Sequence, residues 1–385
     1  MHRMILNETS YFGAGCRESI AIEAKRRGFK KAFFVTDKDL IRFKVADKVI
    51  EIFEKNDIPY EVYSDVKANP TIANVQNGVK AYQASGADFI VALGGGSSID
   101  TAKGIGIVVN NPDFADVRSL EGIADTKQKA VPTFALPTTA GTAAEVTINY
   151  VIIDEDATKK MVCVDPNDIP AVAIVDPELM RTVPSTYTAY QGFDALFHNT
   201  EVMISRFVNV LSEPIALSAI EHIAKYLPRA VKDGNDLEAR EAVAYGSTIA
   251  GLTMQLTSAT AEHSMEHAMS AYHHNLPHGA GLIMISNEFY RFFIEHHACD
   301  EQFVKMARVM GMPDADKPED FLTALAGLQR ACGVDNLKMS DYGFTREECD
   351  TLARNARDTM GGLFAANPCE MTHEDCAAIF EKAYR

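Results

Sequence analysis

The sequence predicts an α/β domain with an open parallel sheet, followed by an all-α domain. Up to about residue 180, short apolar runs alternate with amphipathic helical patterns, an order typical of parallel strands joined by crossover helices. After Pro184 strand patterns nearly vanish, while helical patterns continue to the C-terminus. We therefore predict a domain boundary near residue 183, which separates residues 1–183 from residues 184–385.

Four apolar runs that end in Gly, Pro, Thr or Asp are predicted to be strands or to contain them. They are KKAFFVTD (30–37), ADFIVALGGG (87–96), VPTFALPTT (131–139) and VAIVDPELMRTVP (172–184). Amphipathic helices are predicted between them over residues 40–56 and 71–86. In the second half, helices are predicted over residues 214–234, 301–312 and 372–385.

A glycine-rich loop, GGGSSIDTAKGIG, follows the second predicted strand and opens a helix. Gly95 and Gly96 would let the backbone approach an anion, and Ser97 lies at the start of the helix, where N–H groups and the dipole favour a pyrophosphate. The spacing differs from GxGxxG, so a tight strand-to-helix turn capped by Ser97 is the alternative.

Two further strand ends carry polar residues. In PTTAGTAAEVT the hydroxyls of Thr138, Thr139 and Thr142 are available to a ligand, although an ordinary capped turn has the same composition. Asp37 ends the first predicted strand, where a carboxylate can accept the ribose hydroxyls of an adenosine and repel the extra phosphate of NADP. An N-cap for the next helix explains Asp37 equally well.

The second half contains a candidate metal site made by Asp194, His198, His263 and His278. Asp194 and His198 lie four residues apart, as do His263 and His267, and residues at this spacing share one helix face. A lone histidine is more often a surface or core residue, but two such pairs in one domain favour metal binding. Three imidazoles and a carboxylate without a thiolate suit Fe(II) or Zn(II).

A metal site beside a dinucleotide loop implies redox chemistry on an alcohol or carbonyl. We predict that residues 1–183 bind the dinucleotide and residues 184–385 bind metal and substrate, with ligands in the cleft between them.

Composition excludes several other classes. The net charge of −16 argues against nucleic acid or an anionic membrane as a partner. Seven dispersed cysteines fit free thiols in a reducing cytoplasm. We see no signal peptide and no run of 18 apolar residues, so we expect a cytoplasmic protein.

The chain resembles the iron-containing (group III) alcohol dehydrogenases. The resemblance is carried by RMILNET, VTDK, NPTI, SGAD, GGGS, NNPDFADVRSLEG, PTTAGTAAEVTINYVI and VCVDPNDIP over about residues 3–185, and then by GFDALFH and PHG. Within that family, the first half looks like the lactaldehyde reductases, also called propanediol oxidoreductases. The resemblance implies a Rossmann-like domain joined to an all-α domain in the dehydroquinate synthase-like arrangement.

The resemblance also implies residue roles. Asp194, His198, His263 and His278 would hold Fe(II), with Zn(II) as an alternative, and His267 would lie beside the nicotinamide and act as proton donor or relay. NAD would contact the residues at the strand ends and two more that only the resemblance identifies. These cofactor residues are Asp37, Asn69, Gly95, Gly96, Ser97, Thr138, Thr139, Thr142 and Lys160.

The implied activity is NAD-linked interconversion of a small aldehyde and its primary alcohol, with lactaldehyde and propane-1,2-diol first, by a homodimer or higher homo-oligomer. The second half departs from the family in NTEVMIS, in SATAEHSMEH, where small apolar residues are usual, and in HHNLPHG, which is one residue longer. An anionic aldehyde, succinic semialdehyde or sulfoacetaldehyde, is therefore an alternative substrate. A dehydroquinate-synthase-like lyase and a non-catalytic NAD-binding protein are alternatives of other classes.

Overall fold

The computed structural model describes residues 3–157 and 159–385. The chain divides into two compact units, one of Ile5–Thr182 and one that includes Val183–Arg385. The first contains two sheets with helices, and the second is helical throughout the part of it that the structure describes. The predicted fold class, an α/β parallel-sheet domain plus an all-α domain, is confirmed. The binding roles predicted for the two domains stay predictions.

The main sheet of the α/β unit has six parallel strands in the order β1-β9-β6-β4-β2-β3. The strands are β1 (Thr9–Phe12), β2 (Ala32–Val35), β3 (Tyr60–Tyr63), β4 (Phe89–Gly94), β6 (Thr133–Pro137) and β9 (Val172–Val175). All four predicted strands are present as β2, β4, β6 and β9. The two edge strands, β1 and β3, were not predicted, because each is partly exposed and lacks a fully apolar run.

A second, smaller sheet combines β5 (Gly122–Ile123), β7 (Asn149–Asp154) and β8 (Lys159–Val164). Its order is β5-β8-β7, with β7 and β8 antiparallel and β5 parallel to β8. This sheet was not predicted.

The helices of this unit are α1 (Ser19–Arg27), α2 (Lys38–Arg42), α3 (Asp47–Lys55), α4 (Ile72–Ser85) and α5 (Gly96–Asn110). The single helix predicted over residues 40–56 is wrong, because the chain turns between α2 and α3. Lys44 there adopts φ 60°, and the amides of Val45 and Ala46 both donate to the Leu40 carbonyl, at 2.9 and 3.1 Å.

The core of this unit lies on both faces of the main sheet. Successive residues of β2 and β4 alternate between two apolar clusters, so Phe33 and Ile90 belong to one cluster and Phe34 and Val91 to the other. Strands buried on both faces need apolar residues at every position, which explains why they appear in the sequence as unbroken apolar runs.

The helical unit contains nine α-helices among its described residues. They are α6 (Ser185–Ile204), α7 (Ser212–Lys232), α8 (Leu237–Met254), α9 (Ala261–Tyr272), α10 (His278–Glu295), α11 (Asp300–Val309), α12 (Glu319–Ala331), α13 (Cys349–Phe364) and α14 (His373–Ala383). Among the helices of residues 3–157 and 159–385, none is long and apolar enough to span a bilayer.

Candidate functional site

The predicted cofactor residues follow three neighbouring parallel strands. Asp37 comes shortly after β2, the glycine loop (residues 94–97) is at the end of β4, and the threonine loop (residues 138–142) follows β6. Because these strands are parallel and adjacent, their carboxyl ends lie at one edge of the sheet. In open α/β folds this edge is where ligands bind.

The glycine and threonine loops contact each other. The Thr138 amide donates to the Gly94 carbonyl at 2.9 Å. A Cβ placed on Gly95 would lie 3.0 Å from Thr139 Cγ2, and one on Gly96 would lie 3.0 Å from Thr142 Cγ2. The absence of side chains at these glycines therefore leaves the two threonines room beside the amino end of α5.

Asn69 joins this group, since its amide donates to Ser97 Oγ at 3.2 Å. Asn69 adopts φ 57°, a left-handed conformation that asparagine tolerates better than most residues. The structure thus brings Asn69 and Ser97 together, as expected if both contact the same ligand.

Asp37 is the N-cap of α2, and its Oδ1 accepts from the Leu40 amide at 2.8 Å. The capping interpretation is therefore correct, and the cap fixes the carboxylate at the carboxyl edge of the sheet. Lys160 lies elsewhere, on β8 of the small sheet opposite Ile153, and its side chain is buried.

The predicted metal ligands converge on one carboxylate oxygen in the helical unit. Asp194 Oδ1 lies 3.3 Å from His198 Nδ1, 3.4 Å from His263 Nε2 and 3.6 Å from His278 Nε2. The rings of His198 and His263 stack with centroids 4.1 Å apart. We call these four residues the histidine centre.

The donor set fits a divalent ion. Two donors bound at about 2.1 Å with tetrahedral angles are separated by roughly 3.4 Å, which matches the spacing of the three nitrogens from Asp194 Oδ1. The ligand atoms of Asp194, His263 and His278 all lie within 4.8 Å of one another. His198 is outside that three-residue group, although its Nδ1 is buried and makes no hydrogen bond.

Two buried glutamates lie behind the histidines. Glu201 accepts from His263 Nδ1, and Glu266 accepts from His278 Nδ1, so each imidazole presents its Nε2 to Asp194. Glu201 also accepts from the Thr260 amide at 2.8 Å and the Thr260 hydroxyl at 2.6 Å. Both glutamates are fully buried.

The electrostatics of the centre reflect these pairs. Burial lowers the pKa of His198 to about 4, and the neighbouring charge of His263 adds to that effect. Burial also opposes protonation of His263 and His278, but Glu201 beside His263 and Glu266 beside His278 outweigh it and raise the pKa of both imidazoles. Burial would raise the pKa of Asp194, yet the surrounding imidazoles, His198 foremost, hold it well below its usual range.

A further buried polar chain runs through Glu262. Its Oε2 accepts from the Tyr290 hydroxyl at 2.5 Å, and that hydroxyl lies 2.6 Å from Thr200 Oγ1. Burial and the nearby Glu201 charge raise the pKa of Glu262 well above its ordinary value. This carboxylate contacts a tyrosine rather than an imidazole.

His267, the predicted proton donor, lies one turn after His263 on α9 and is half-buried. Its ring centroid is 5.4 Å from that of His278, and its Nδ1 lies 3.0 Å from Met360 Sδ. Met360 is the residue at which α13 departs from helical geometry, with φ −133° and ψ 38°. The kink and the histidine contact therefore occur at the same residue.

Sequence reasoning missed the roles of Glu201 and Glu266. The available signal was the position of each glutamate within one helical turn of a predicted metal ligand, since acidic side chains are rarely buried without a partner. Their partners could not be read from spacing. Glu201 lies three residues after His198 but contacts His263, and Glu266 lies three after His263 but contacts His278.

Comparison with known proteins identifies the family. Residues 7–177 match the model of iron-containing alcohol dehydrogenases, and residues 188–384 match that of the C-terminal region of the Fe-containing alcohol dehydrogenase family. The chain belongs to the iron-containing alcohol dehydrogenase family. It is an enzyme that interconverts alcohols and aldehydes, as the resemblance of its motifs implied, and iron and NAD are the cofactors expected of a member.

Full-length relatives agree with this assignment. Lactaldehyde reductase of Escherichia coli (strain K12) is 40% identical over 388 residues, which cover 100% of both chains. The structure of a 1,3-propanediol oxidoreductase superposes with a TM-score of 0.93 at 30% identity, with 100% of both chains covered. Sulfoacetaldehyde reductase from Bifidobacterium kashiwanohense, in complex with NAD+, gives 0.88 at 28% identity and covers 100% of this chain and 98% of its own. The dehydroquinate synthase-like arrangement is thus the fold of this enzyme.

Proposed function

We propose that the chain is a metal-dependent, NAD(H)-linked oxidoreductase that interconverts lactaldehyde and propane-1,2-diol. The observation that carries the proposal is the convergence of three imidazole nitrogens on Asp194 Oδ1 at 3.3 to 3.6 Å. A buried carboxylate surrounded by imidazoles is the donor set of a transition-metal site.

Asp194, His198, His263 and His278 would hold the ion, most readily Fe(II), with Zn(II) able to use the same donors. When bound, the ion supplies Lewis-acid polarisation of an aldehyde oxygen. The protein's part is to keep these donors close together and oriented. Glu201 and Glu266 hold His263 and His278 with Nε2 directed at Asp194.

The glycine loop, the threonine loop, Asp37, Asn69 and Lys160 would hold NAD, which supplies hydride transfer when bound. The amino end of α5 offers backbone N–H groups to the phosphates, and Thr139 and Thr142 add hydroxyls beside Gly95 and Gly96. Asp37, fixed by its cap, would accept ribose hydroxyls and disfavour the phosphate of NADP.

His267 would exchange the proton that the substrate oxygen gains or loses. Its Nδ1 lies at Met360 Sδ, so the exchange is assigned to Nε2. The contact with Met360 fixes the plane of the imidazole, which a proton donor needs for reproducible alignment with its acceptor.

The anionic aldehydes form a second candidate substrate class, and the family's sulfoacetaldehyde reductase is the reason to test them. Two polar residues of the departing segments NTEVMIS and HHNLPHG, Asn199 and His273, already have partners within the protein. Asn199 Nδ2 donates to the Ala195 and Gly246 carbonyls at 2.8 and 3.0 Å, and His273 Nε2 lies 3.1 Å from Glu348 Oε1. The buried glutamates on α6 and α9 would also repel an anion, which favours a neutral aldehyde.

The test is NADH oxidation by iron-reconstituted protein with lactaldehyde, propanal, succinic semialdehyde and sulfoacetaldehyde. We expect the highest kcat/KM with lactaldehyde. A lead of orders of magnitude for an anionic aldehyde would make lactaldehyde the wrong substrate and leave the oxidoreductase assignment intact. No reaction with any of the four, with iron present and either NADH or NADPH supplied, would contradict the proposed small-aldehyde reaction.

The cytoplasmic location and the homodimeric or higher assembly are part of this proposal and rest on the composition and the family resemblance.

A further inference from the structure

The outer nitrogens of two histidines in the centre are each occupied by a buried carboxylate. His278 has Nε2 3.6 Å from Asp194 Oδ1 and Nδ1 in contact with Glu266, while His263 has Nε2 3.4 Å from Asp194 Oδ1 and Nδ1 in contact with Glu201. An imidazole whose Nδ1–H donates a hydrogen bond to a carboxylate keeps a lone pair on Nε2. This fixes the tautomer and the ring orientation that a metal requires.

We infer that Glu266 is a positioning residue that sets the metal affinity of the centre through His278, and that Glu201 does the same through His263. The inference rests on the proposed metal centre. Neither glutamate is needed as a ligand in this arrangement, because each uses an oxygen on the side of its histidine away from Asp194.

The surroundings of Glu266 show that its position is built into the packing. A Cβ on Gly281 of α10 would lie 2.8 Å from Glu266 Cγ and 3.1 Å from Glu266 Oε1. A contact below 3.0 Å would force one of the two residues to move. Gly281 therefore leaves the space that the Glu266 side chain occupies. His278, which Glu266 contacts, lies three residues before Gly281 on α10.

The Glu201–His263 and Glu266–His278 pairs differ in how much a substitution of the glutamate would disturb the surrounding fold. Glu201 also accepts from the amide and hydroxyl of Thr260, directly before α9, so its removal would disturb the start of that helix. The Glu266 carboxylate contacts His278 from the middle of α9, away from the start of that helix, so Glu266 is the better target.

Glu262 provides a matched control. It lies on the same helix, is equally buried, and its carboxylate contacts the Tyr290 hydroxyl at 2.5 Å instead of a histidine. A glutamine there can still accept from the tyrosine. Glu262→Gln thus repeats the substitution on α9 at a carboxylate whose hydrogen bond goes to a tyrosine and not to a histidine.

The experiment measures Zn(II) and Co(II) affinity of the metal-free protein by chelator competition, together with the visible absorption of the Co(II) form and the number of ions bound. We expect Glu266→Ala to weaken binding by about 10- to 100-fold while one ion per chain still binds. Glu266→Gln, which can still accept from His278, should lose less, and Glu262→Gln should stay within about threefold of the wild type.

Gly281→Ala offers a route that changes no donor atom. It should weaken binding in the wild type by moving Glu266, and it should add little in the Glu266→Ala background, because neighbouring residues that act through one contact are not additive. This pair of measurements keeps the inference testable even if one single variant folds poorly.

Three results would overturn the inference. They are unchanged affinity in both Glu266→Ala and Glu266→Gln, fully additive effects of Gly281→Ala, and a drop from two bound ions to one in Glu266→Ala, which would make Glu266 a ligand. His278→Ala separates this failure from that of the proposed centre. If His278→Ala also keeps its metal, the centre itself is wrong, whereas loss of metal there with normal Glu266 variants rejects the positioning role alone.

Discussion

The strand-end loops of the α/β unit and the histidine centre of the helical unit contain different kinds of chemical group. The loops consist of glycines, hydroxyls and backbone N–H groups, with one carboxylate, Asp37, at the edge. The centre consists of imidazoles and carboxylates, most of them buried, with His263 and His278 each paired to a glutamate. The affinity of a site made of backbone groups should fall only modestly when one side chain is altered. In a network of buried charges, removal of one member leaves another charge unpaired, so a larger loss is expected.

The largest effect is expected in the centre. His263→Ala should remove the metal and lower kcat/KM by about 1,000-fold or more, since Lewis-acid stabilisation is worth several kcal/mol. The measurements are metal content by atomic spectroscopy and steady-state kinetics with NADH. His222→Ala is the control, because His222 lies on α7 with its Nδ1 2.8 Å from the Ser218 carbonyl. Full metal content in His263→Ala would remove His263 from the proposed ligands.

A smaller effect is expected in the glycine loop. Gly96→Ala should raise the Kd for NADH by about tenfold, roughly 1.4 kcal/mol, because the added methyl group lies on the approach of the phosphates and 3.0 Å from Thr142 Cγ2. Metal content should not change, which would separate the two regions experimentally.

The added methyl group of Gly96→Ala can weaken NADH binding by contacting the cofactor or by displacing Thr142, and Thr142→Ser distinguishes the two causes. Serine lacks the Cγ2 that the new methyl group would meet. If Gly96→Ala with Thr142→Ser binds NADH as weakly as Gly96→Ala alone, the methyl group acts on the cofactor. Normal NADH binding by Gly96→Ala alone would contradict the placement of the pyrophosphate at this loop.

Asp37 tests whether the single charge of this region selects the cofactor. Asp37→Asn keeps an N-cap acceptor for the Leu40 amide, because asparagine caps helices as well as aspartate does, and removes the charge. We expect kcat/KM with NADPH to rise severalfold, up to about tenfold, with little change for NADH and in thermal stability. Asp37→Gly should raise NADPH use similarly. Equal use of both cofactors by the wild type would contradict the prediction.

The fold could be predicted from sequence to the extent that burial was complete. The strands β2, β4, β6 and β9 have apolar residues on both faces and were recognised, whereas the edge strands and the strands of the small sheet are only partly buried and were not. The break between α2 and α3 depends on the left-handed conformation of Lys44, for which the residue type gives no indication.

The candidate site divides in the same way. The i, i+4 pairs Asp194/His198 and His263/His267 are local and could be recognised from spacing, and the order of motifs after successive strands placed the loops at one edge. The contacts of Glu266 with His278 and of His267 with Met360 join different helices or turns, and they depend on packing that no local pattern encodes.

The last prediction concerns Asp100, a partly buried carboxyl group on the helix that follows the glycine loop. Asp100 lies on the first turns of α5, and its Oδ2 accepts from the Val151 amide at 3.0 Å. Burial raises the pKa of Asp100 to about 6, although the neighbouring Lys103 and the Val151 N–H oppose the rise. The folded protein therefore binds this proton more tightly than the unfolded chain, whose aspartates titrate near pH 4.

It follows that the contribution of Asp100 to stability is fully present below pH 4 and is lost as the pH rises through about 6. Asp100→Asn stays neutral and can still accept from Val151, so it should gain stability relative to the wild type by about 1.4 kcal/mol between pH 5 and pH 7.5. Urea unfolding of the metal-free proteins at both pH values measures this difference. The exposed Asp113→Asn controls for the loss of one negative charge. A difference between Asp100→Asn and wild type that is the same at both pH values would show that Asp100 is already ionised at pH 5. In that case the Asp100 carboxylate would be hydrated in the folded protein, and burial would not control its pKa.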